Sequence, residues 1–580
     1  MANDTWGRIL GGSVTSRSEN HMRYAFVLTA ATLFAPAALR AADPAPLPPI
    51  TFQTQPVNRV LDDLRAAADL IGGEKAVKAL NNGLKEKFGD KVFHGLDLQR
   101  PVVGYVTLAP KPEDIVAVVA FPVTNEKDFL ALCERFGGAP KDLGKGIYEL
   151  PPLDPRHKAL MRFSEQYAYI AYGHKPEAAL DAKTLVAANK LYDPAEQAIF
   201  TGKFHFDRLT PDVVKALPAY VEALKKALGL GGEGRGPLGI GQQETAIFAP
   251  LVEGVEKMLT RYAFLLSGGE TAAVRLNLDV PTGELSVEAT VKGKPNTLLS
   301  TAIAAHKPTG NKFGGLLTPD TAAGFKTRLP FFNEELKTGT VKALEEGQKA
   351  VGPVGNAKDL VDELFKGLIR TAKTGEADVV GGVRGPDKDG DFTLVAAVAF
   401  DDTAALEKEF KKFVEADAPP DEQERFKWSA DKLGKVNIHT YKPRGGGGFL
   451  DFTKPFGDDK CAVAFAFAPT GVFVVVGPDP VPVMKGALAV KPADAPVLDV
   501  LVNPARVKKL VEKTGGPGDN VERALGKEDK LLSAMSLTVS GGKELKVRYA
   551  INLRLLPRAL AADGFDGDKS AVEPIPGEKK

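Results

Sequence analysis

The sequence predicts an α+β protein made of two tandem, diverged copies of an antiparallel-sheet module with helices packed on one face. Three observations predict it. Short runs rich in Val, Phe, Tyr and Ala have the composition of strands, and YAYIAYG (167–173) is typical of them. Pairs such as Asp389-Gly390 and Gly541-Gly542 stand between such runs, where hairpin turns need them. The same elements also come round twice in the same order.

The first module is expected over residues 57–310 and the second over 311–562. A helix opens the first. Val60, Leu61, Leu64, Ala68 and Ile71 share one face, Asp62, Asp63, Arg65 and Asp69 face water, and Gly72-Gly73 ends it. Its counterpart is Leu360 to Leu364. Val102-Val103-Gly104 recurs as Val379-Val380-Gly381, and DIVAVVAF (114–121) as FTLVAAVAF (392–400). Each of the latter runs into an amphipathic helix, over 125–136 and 403–414. Leu143-Gly144-Lys145 matches Leu433-Gly434-Lys435, and YAYIAYG matches GVFVVVG (471–477). FHFDRLTPDVVKAL (204–217) matches VLVNPARVKKL (500–510), which sets Asp207 against Asn503. The closing hairpins are 274–291 and 536–551. Order is kept while spacing drifts, as loop insertions in two copies would produce. A module of about 250 residues can bury its own core.

Ahead of the modules the chain reads as an export address. Arg23 precedes an uncharged apolar run, Tyr24 to Leu39, and the small residues Ala41 and Ala42 follow, so 22–41 is expected to be a signal peptide. Pro36 interrupts the run, which falls short of the roughly 20 residues that span a bilayer. Residues 1–21 are polar and aperiodic and are expected to be an upstream extension, with translation starting at Met22. Residues 42–56 read as a Pro-rich linker and 563–580 as a flexible polar tail. The mature chain is expected in the periplasm or outside the cell, with no integral membrane span.

Composition narrows the function classes. Seventy-five Lys+Arg balance 74 Asp+Glu for a net charge of +1, against the basic face that nucleic acid demands. Two cysteines, Cys133 and Cys461, supply neither a disulfide scaffold nor a Cys-rich zinc site. Both are expected to be buried free thiols, although export would permit one bridge between the modules. No cofactor and no metal site are expected.

The motifs that touch on chemistry fall to simpler readings. Gly234 to Gly239 spells G-x-G-x-x-G, but a Lys-bearing helix precedes it where a dinucleotide fold needs a strand. Ser429-Ala430-Asp431-Lys432 and Lys513-Thr514-Gly515 have the letters of a penicillin-recognising serine enzyme. That chemistry needs the Ser at a helix start and the K-T-G on a strand, whereas Lys513 closes a helix. Asp387 to Asp391 and Asp563 to Asp568 faintly resemble calcium loops without the bidentate Glu. Of the seven histidines, His205 stands two residues from Asp207, between Phe204 and Phe206. On a strand that pair would share a face and could move a proton. His439 has no partner visible in the sequence.

The signal, the Pro-rich stretch and the repeated AVVAF–helix–YxxxYG blocks together resemble exported bacterial proteins with duplicated α+β modules. The resemblance carries no catalytic motif to any residue here. The expected function is a non-enzymatic binding or envelope-associated protein, acting on a protein or small-molecule partner. A cleft between the two similar halves is one place for a ligand. The alternative is a secreted or periplasmic hydrolase with a dispersed active site, whose first candidates are His205 and Asp207.

Overall fold

A computed structural model describes residues 47–88, 93–151, 157–216, 219, 268–330, 334–350, 357–374, 376–444, 453–514 and 535–555. The α+β reading holds. The first half runs β1 (Ile50–Pro56), α1 (Val57–Phe88), β2 (Pro101–Thr107), β3 (Val116–Pro122), α2 (Glu126–Gly137), β4 (Lys141–Asp142) and β5 (Ile147–Leu150). It continues through β6 (Lys158–Ser164), β7 (Tyr167–Gly173), β8 (Phe200–His205), β9 (Gly269–Asp279), β10 (Glu284–Gly293) and α3 (Leu298–Ala305).

The second half runs β11 (Thr309–Asn311), β12 (Thr321–Pro330), α4 (Glu334–Ala350), α5 (Lys358–Thr374), β13 (Glu376–Arg384), β14 (Thr393–Val398) and α6 (Thr403–Asp417). Then follow β15 (Phe426–Leu433), β16 (Val436–Tyr441), β17 (Ala462–Ala468), β18 (Gly471–Gly477) and α7 (Pro480–Leu488). The last elements are β19 (Ala493–Ala495), β20 (Leu498–Val502), α8 (Pro504–Lys513), β21 (Met535–Ser540) and β22 (Leu545–Asn552).

Among the described residues all strands but β11 and β19 join one 20-stranded antiparallel sheet. Its pairings give the order β4–β5–β6–β7–β3–β2–β1–β8–β9–β10 in the first half. The second half runs β15–β16–β17–β18–β14–β13–β12–β20–β21–β22. A continuous ladder between β10 and β22, from Glu284↔Asn552 to Val291↔Leu545, joins the two sets. A ladder, not a cleft, therefore stands between the halves.

Two expectations are corrected. The stretch 50–56, expected in the linker, forms β1, which pairs with both β2 and β8. Its one proline, Pro56, ends the strand opposite Pro101, beyond a register shift that follows Gln53, a strand end being a place where a missing N–H costs little. The helices also cover both faces. On β17, Phe465 and Phe467 point to one face, where Phe410 of α6 meets their rings at 5.5 and 6.1 Å. Ala464 and Ala466 point to the other, into a core with Met484 and Ala487 of α7. In the first half α2 places Phe129 and Leu132 on Met161 and Ala168. The opposite face buries Tyr105 and Tyr169 under Leu180, Val186 and Leu191.

The first helix ends where the glycines predict, with Gly73 at φ 61°, and a second helical run follows at once. In chain order two helical runs thus lie between β1 and β2, as α4 and α5 lie between β12 and β13. The match of residues 60–64 to 360–364 therefore sets a first run against a second one.

Candidate functional site

His205 ends β8, and the chain turns immediately into a 3-10 turn, Phe206–Arg208. Asp207 thus leaves the strand and is exposed, so the shared strand face expected for the pair does not form. Burial first, then the neighbouring Arg208 guanidinium, push the His205 imidazole down to about 4, while Asp207 pulls weakly the other way. The ring is therefore neutral at neutral pH. Arg208 itself donates to the Pro48 carbonyl at 3.0 Å.

The ladder also moves the comparison with the second half by two residues. His205 N–H donates to Pro49 O and Asn503 N–H to Ala322 O, both at 2.7 Å, at the same point of β8 and β20. His205, rather than Asp207, takes the position at the end of β8 that Asn503 takes at the end of β20. Arg208 then falls opposite Arg506, which likewise sends a guanidinium N–H to a backbone carbonyl, that of Gly385 at 2.6 Å.

The remaining motif residues are held by local structure. Ser429 lies on β15 and Lys513 at the end of α8, so the penicillin-type letters are not assembled. The Lys513 ammonium pairs with the buried Asp391 carboxylate and donates to Gly390 O at 2.8 Å. Asp387 accepts from the backbone N–H groups of Asp389 and Asp391 at 2.9 and 2.8 Å. The acidic loop is thus a turn clamped by a lysine. Among the described residues no group of three His, Cys, Asp or Glu side chains is placed to hold a metal. Cys133 packs with Phe129 and Leu132, and Cys461 is buried. Both thiols are free, and burial pushes each up to about 11, away from reactivity. Gly234 to Gly239, Gly445 to Gly448 and Asp563 to Asp568 lie outside the described residues.

The surface that gathers most chemistry is one that motif reading missed, the junction of the halves. Alternation along β9, β10, β22 and β21 divides it by face. One face carries Leu276, Val287, Tyr549 and Leu537 in direct register across the four strands. Val287 and Tyr549 lie opposite each other and remain 42% and 41% exposed, the largest apolar side chains left open on this ladder.

The other face is ionic. Arg275 meets Glu196 at 3.0 Å and Glu288 at 3.6 Å, Glu288 meets Lys546 at 3.1 Å, and Arg548 pairs with Glu284. The junction can thus hold its two halves by charge from one side and offer an apolar patch on the other. The alternation that signals this is present in VRLNLD and ELSVEATV, but the pairing of β10 with β22 is not written in either.

No helix among the described residues is long and apolar enough to cross a membrane. No family model matches the chain, and no curated protein matches it. Among solved structures the chain is similar to TP0453 in its crystal form I, with a TM-score of 0.21 and 8% identity over 45% of this chain and 84% of that one, a likeness too slight to carry an argument.

Proposed function

We propose that the chain is an exported, two-module binding protein whose modules are diverged copies of one design, and that it engages its partner at the junction of the halves. The identical strand order supports the duplication. So do the matched pairs His205/Asn503 and Arg208/Arg506. Phe52 facing Gly104 on neighbouring strands is likewise repeated by Phe325 facing Gly381. The signal-like residues 22–41 support export to the periplasm or beyond.

The single observation that carries binding is the Val287–Tyr549 patch, open on the apolar face of an otherwise paired ladder. Isolated apolar side chains on a surface mean little, but two in register on an apolar face form a patch of the kind that partners cover. The partner proposed is a protein with a complementary apolar surface. The test places a photoactivatable residue at position 549 in the full chain expressed in its own envelope. A discrete cross-linked species is expected, lost when Val287→Lys is added while the unfolding temperature holds. Cross-linking no different from that of a probe at the exposed Lys435 position would sink the reading.

A further inference from the structure

We propose that His439 is an acid-sensitive latch that holds edge strand β15 onto the second half, and that its protonation releases the strand.

The latch is built from geometry. Among the described residues β15 pairs on one side only, with β16. Its register runs Phe426↔Tyr441 and Lys427↔Thr440, then slips and resumes at Asp431↔Ile438. Trp428, Ser429 and Ala430 therefore bulge opposite the single residue His439. Ser429 occupies the left-handed region at φ 51°, a conformation that needs support from its surroundings. His439 gives that support. It is 2% exposed, and its Nδ1 accepts the Ser429 backbone N–H at 3.0 Å. Because Nδ1 accepts, the ring proton sits on Nε2, which donates to Glu407 Oε1 at 2.9 Å. Both ring nitrogens are thus committed, one to the bulge and one to α6.

The walls of the site are aromatic. Trp428 meets the imidazole at 5.2 Å, and Phe465 and Phe467 of β17 lie at 5.2 and 6.2 Å. Among the described residues the charged groups facing it are few. On α6, Glu407 favours the imidazolium and Lys411, over the Trp428 ring at 5.6 Å, opposes it. On β16, Asn437 donates to Glu407 at 3.3 Å. On β15, Asp431 is taken by Lys485 of α7 at 2.7 Å. The part of β17 that faces the ring brings phenyl groups.

Protonating Nδ1 turns the acceptor into a donor aimed at another donor, so the Ser429 bond cannot survive. Burial outweighs the pull of Glu407 and holds the imidazole below its ordinary value of 6.5. A group depressed in the fold stabilises it above pH 6.5, and that contribution is lost as the pH falls below this.

Trp6 and Trp428 are the two tryptophans, so Trp6→Phe in the full chain leaves Trp428 as sole reporter. Between pH 7.5 and 4.5 the Trp428 emission is expected to shift reversibly to the red, with faster amide exchange over 426–433 and unchanged far-ultraviolet dichroism. His439→Gln keeps an acceptor that does not titrate and should abolish the transition. Where that variant does not fold, Glu407→Gln removes the group that favours the charged ring and should move the midpoint down by at least half a pH unit. The proposal is overturned by emission that stays constant across this range, or changes only with global unfolding. A midpoint unmoved in either folded variant overturns it as well.

Discussion

Gly104 shows how one residue type fixes the packing of a sheet. It lies opposite Phe52 on β1, and a Cβ there would overlap the Phe52 ring and stand 2.5 Å from the Val118 carbonyl oxygen. Phe52 is 6% exposed, so its ring has nowhere to withdraw. Gly381 on β13 faces Phe325, which is 42% exposed, and a Cβ there would meet the ring edge at 3.1 Å. The two positions share a sequence signature but differ in what must give way. Gly104→Ala is therefore expected to cost about 2–3 kcal/mol, as overpacking does, and Gly381→Ala less than about 1 kcal/mol. Urea unfolding of the two variants measures the difference, and equal costs would mean that the Phe52 ring is not confined.

At the scale of elements, the strands were legible and their covering was not. YAYIAYG and GVFVVVG are unbroken apolar runs, and both form strands paired on two sides. The same runs lack alternation, which is what a strand buried on both faces produces. That signal argues for cover on both sides, against the expectation of helices on one face. β1 was missed for the opposite reason. Its Thr and Gln residues and flanking prolines read as linker, yet Gln53 is buried, exchanging hydrogen bonds with the Asp193 backbone at 3.0 and 2.8 Å. The His439–Glu407 contact joins a strand to a helix 32 residues earlier, a distance at which spacing says nothing.

The Lys513 clamp, also long-range, carries an element-scale prediction. Lys513→Met leaves the buried Asp391 carboxylate without its ammonium, at an expected cost of about 2–3 kcal/mol, below the full loss for a deeply buried pair because Lys513 is partly exposed. Adding Asp391→Asn should recover part of that cost. A double variant no more stable than Lys513→Met would show that the ion pair is not the link between α8 and the β13–β14 turn.

Across the whole molecule the halves cap each other reciprocally. The turn between β21 and β22 donates backwards, Gly541 N–H to His306 O at 2.6 Å and Gly542 N–H to Ile303 O at 2.8 Å, at the end of α3. The turn between β9 and β10 accepts from the residues after β22, Leu553 N–H to Gly283 O at 2.7 Å and the Arg554 guanidinium to Pro281 and Thr282 carbonyls at 3.1 and 3.2 Å. With the β10–β22 ladder between them, these contacts make the junction an interface that each half needs to close its sheet. Either half alone would present a long unpaired strand with one apolar face, the arrangement that drives edge-to-edge association. Residues 1–307 and 308–580 expressed separately are therefore expected to self-associate, and when coexpressed to form a stable one-to-one complex that unfolds in a single transition. Two monomeric halves that ignore each other at micromolar concentration, each with its own cooperative unfolding, would show that the ladder merely joins two independent domains.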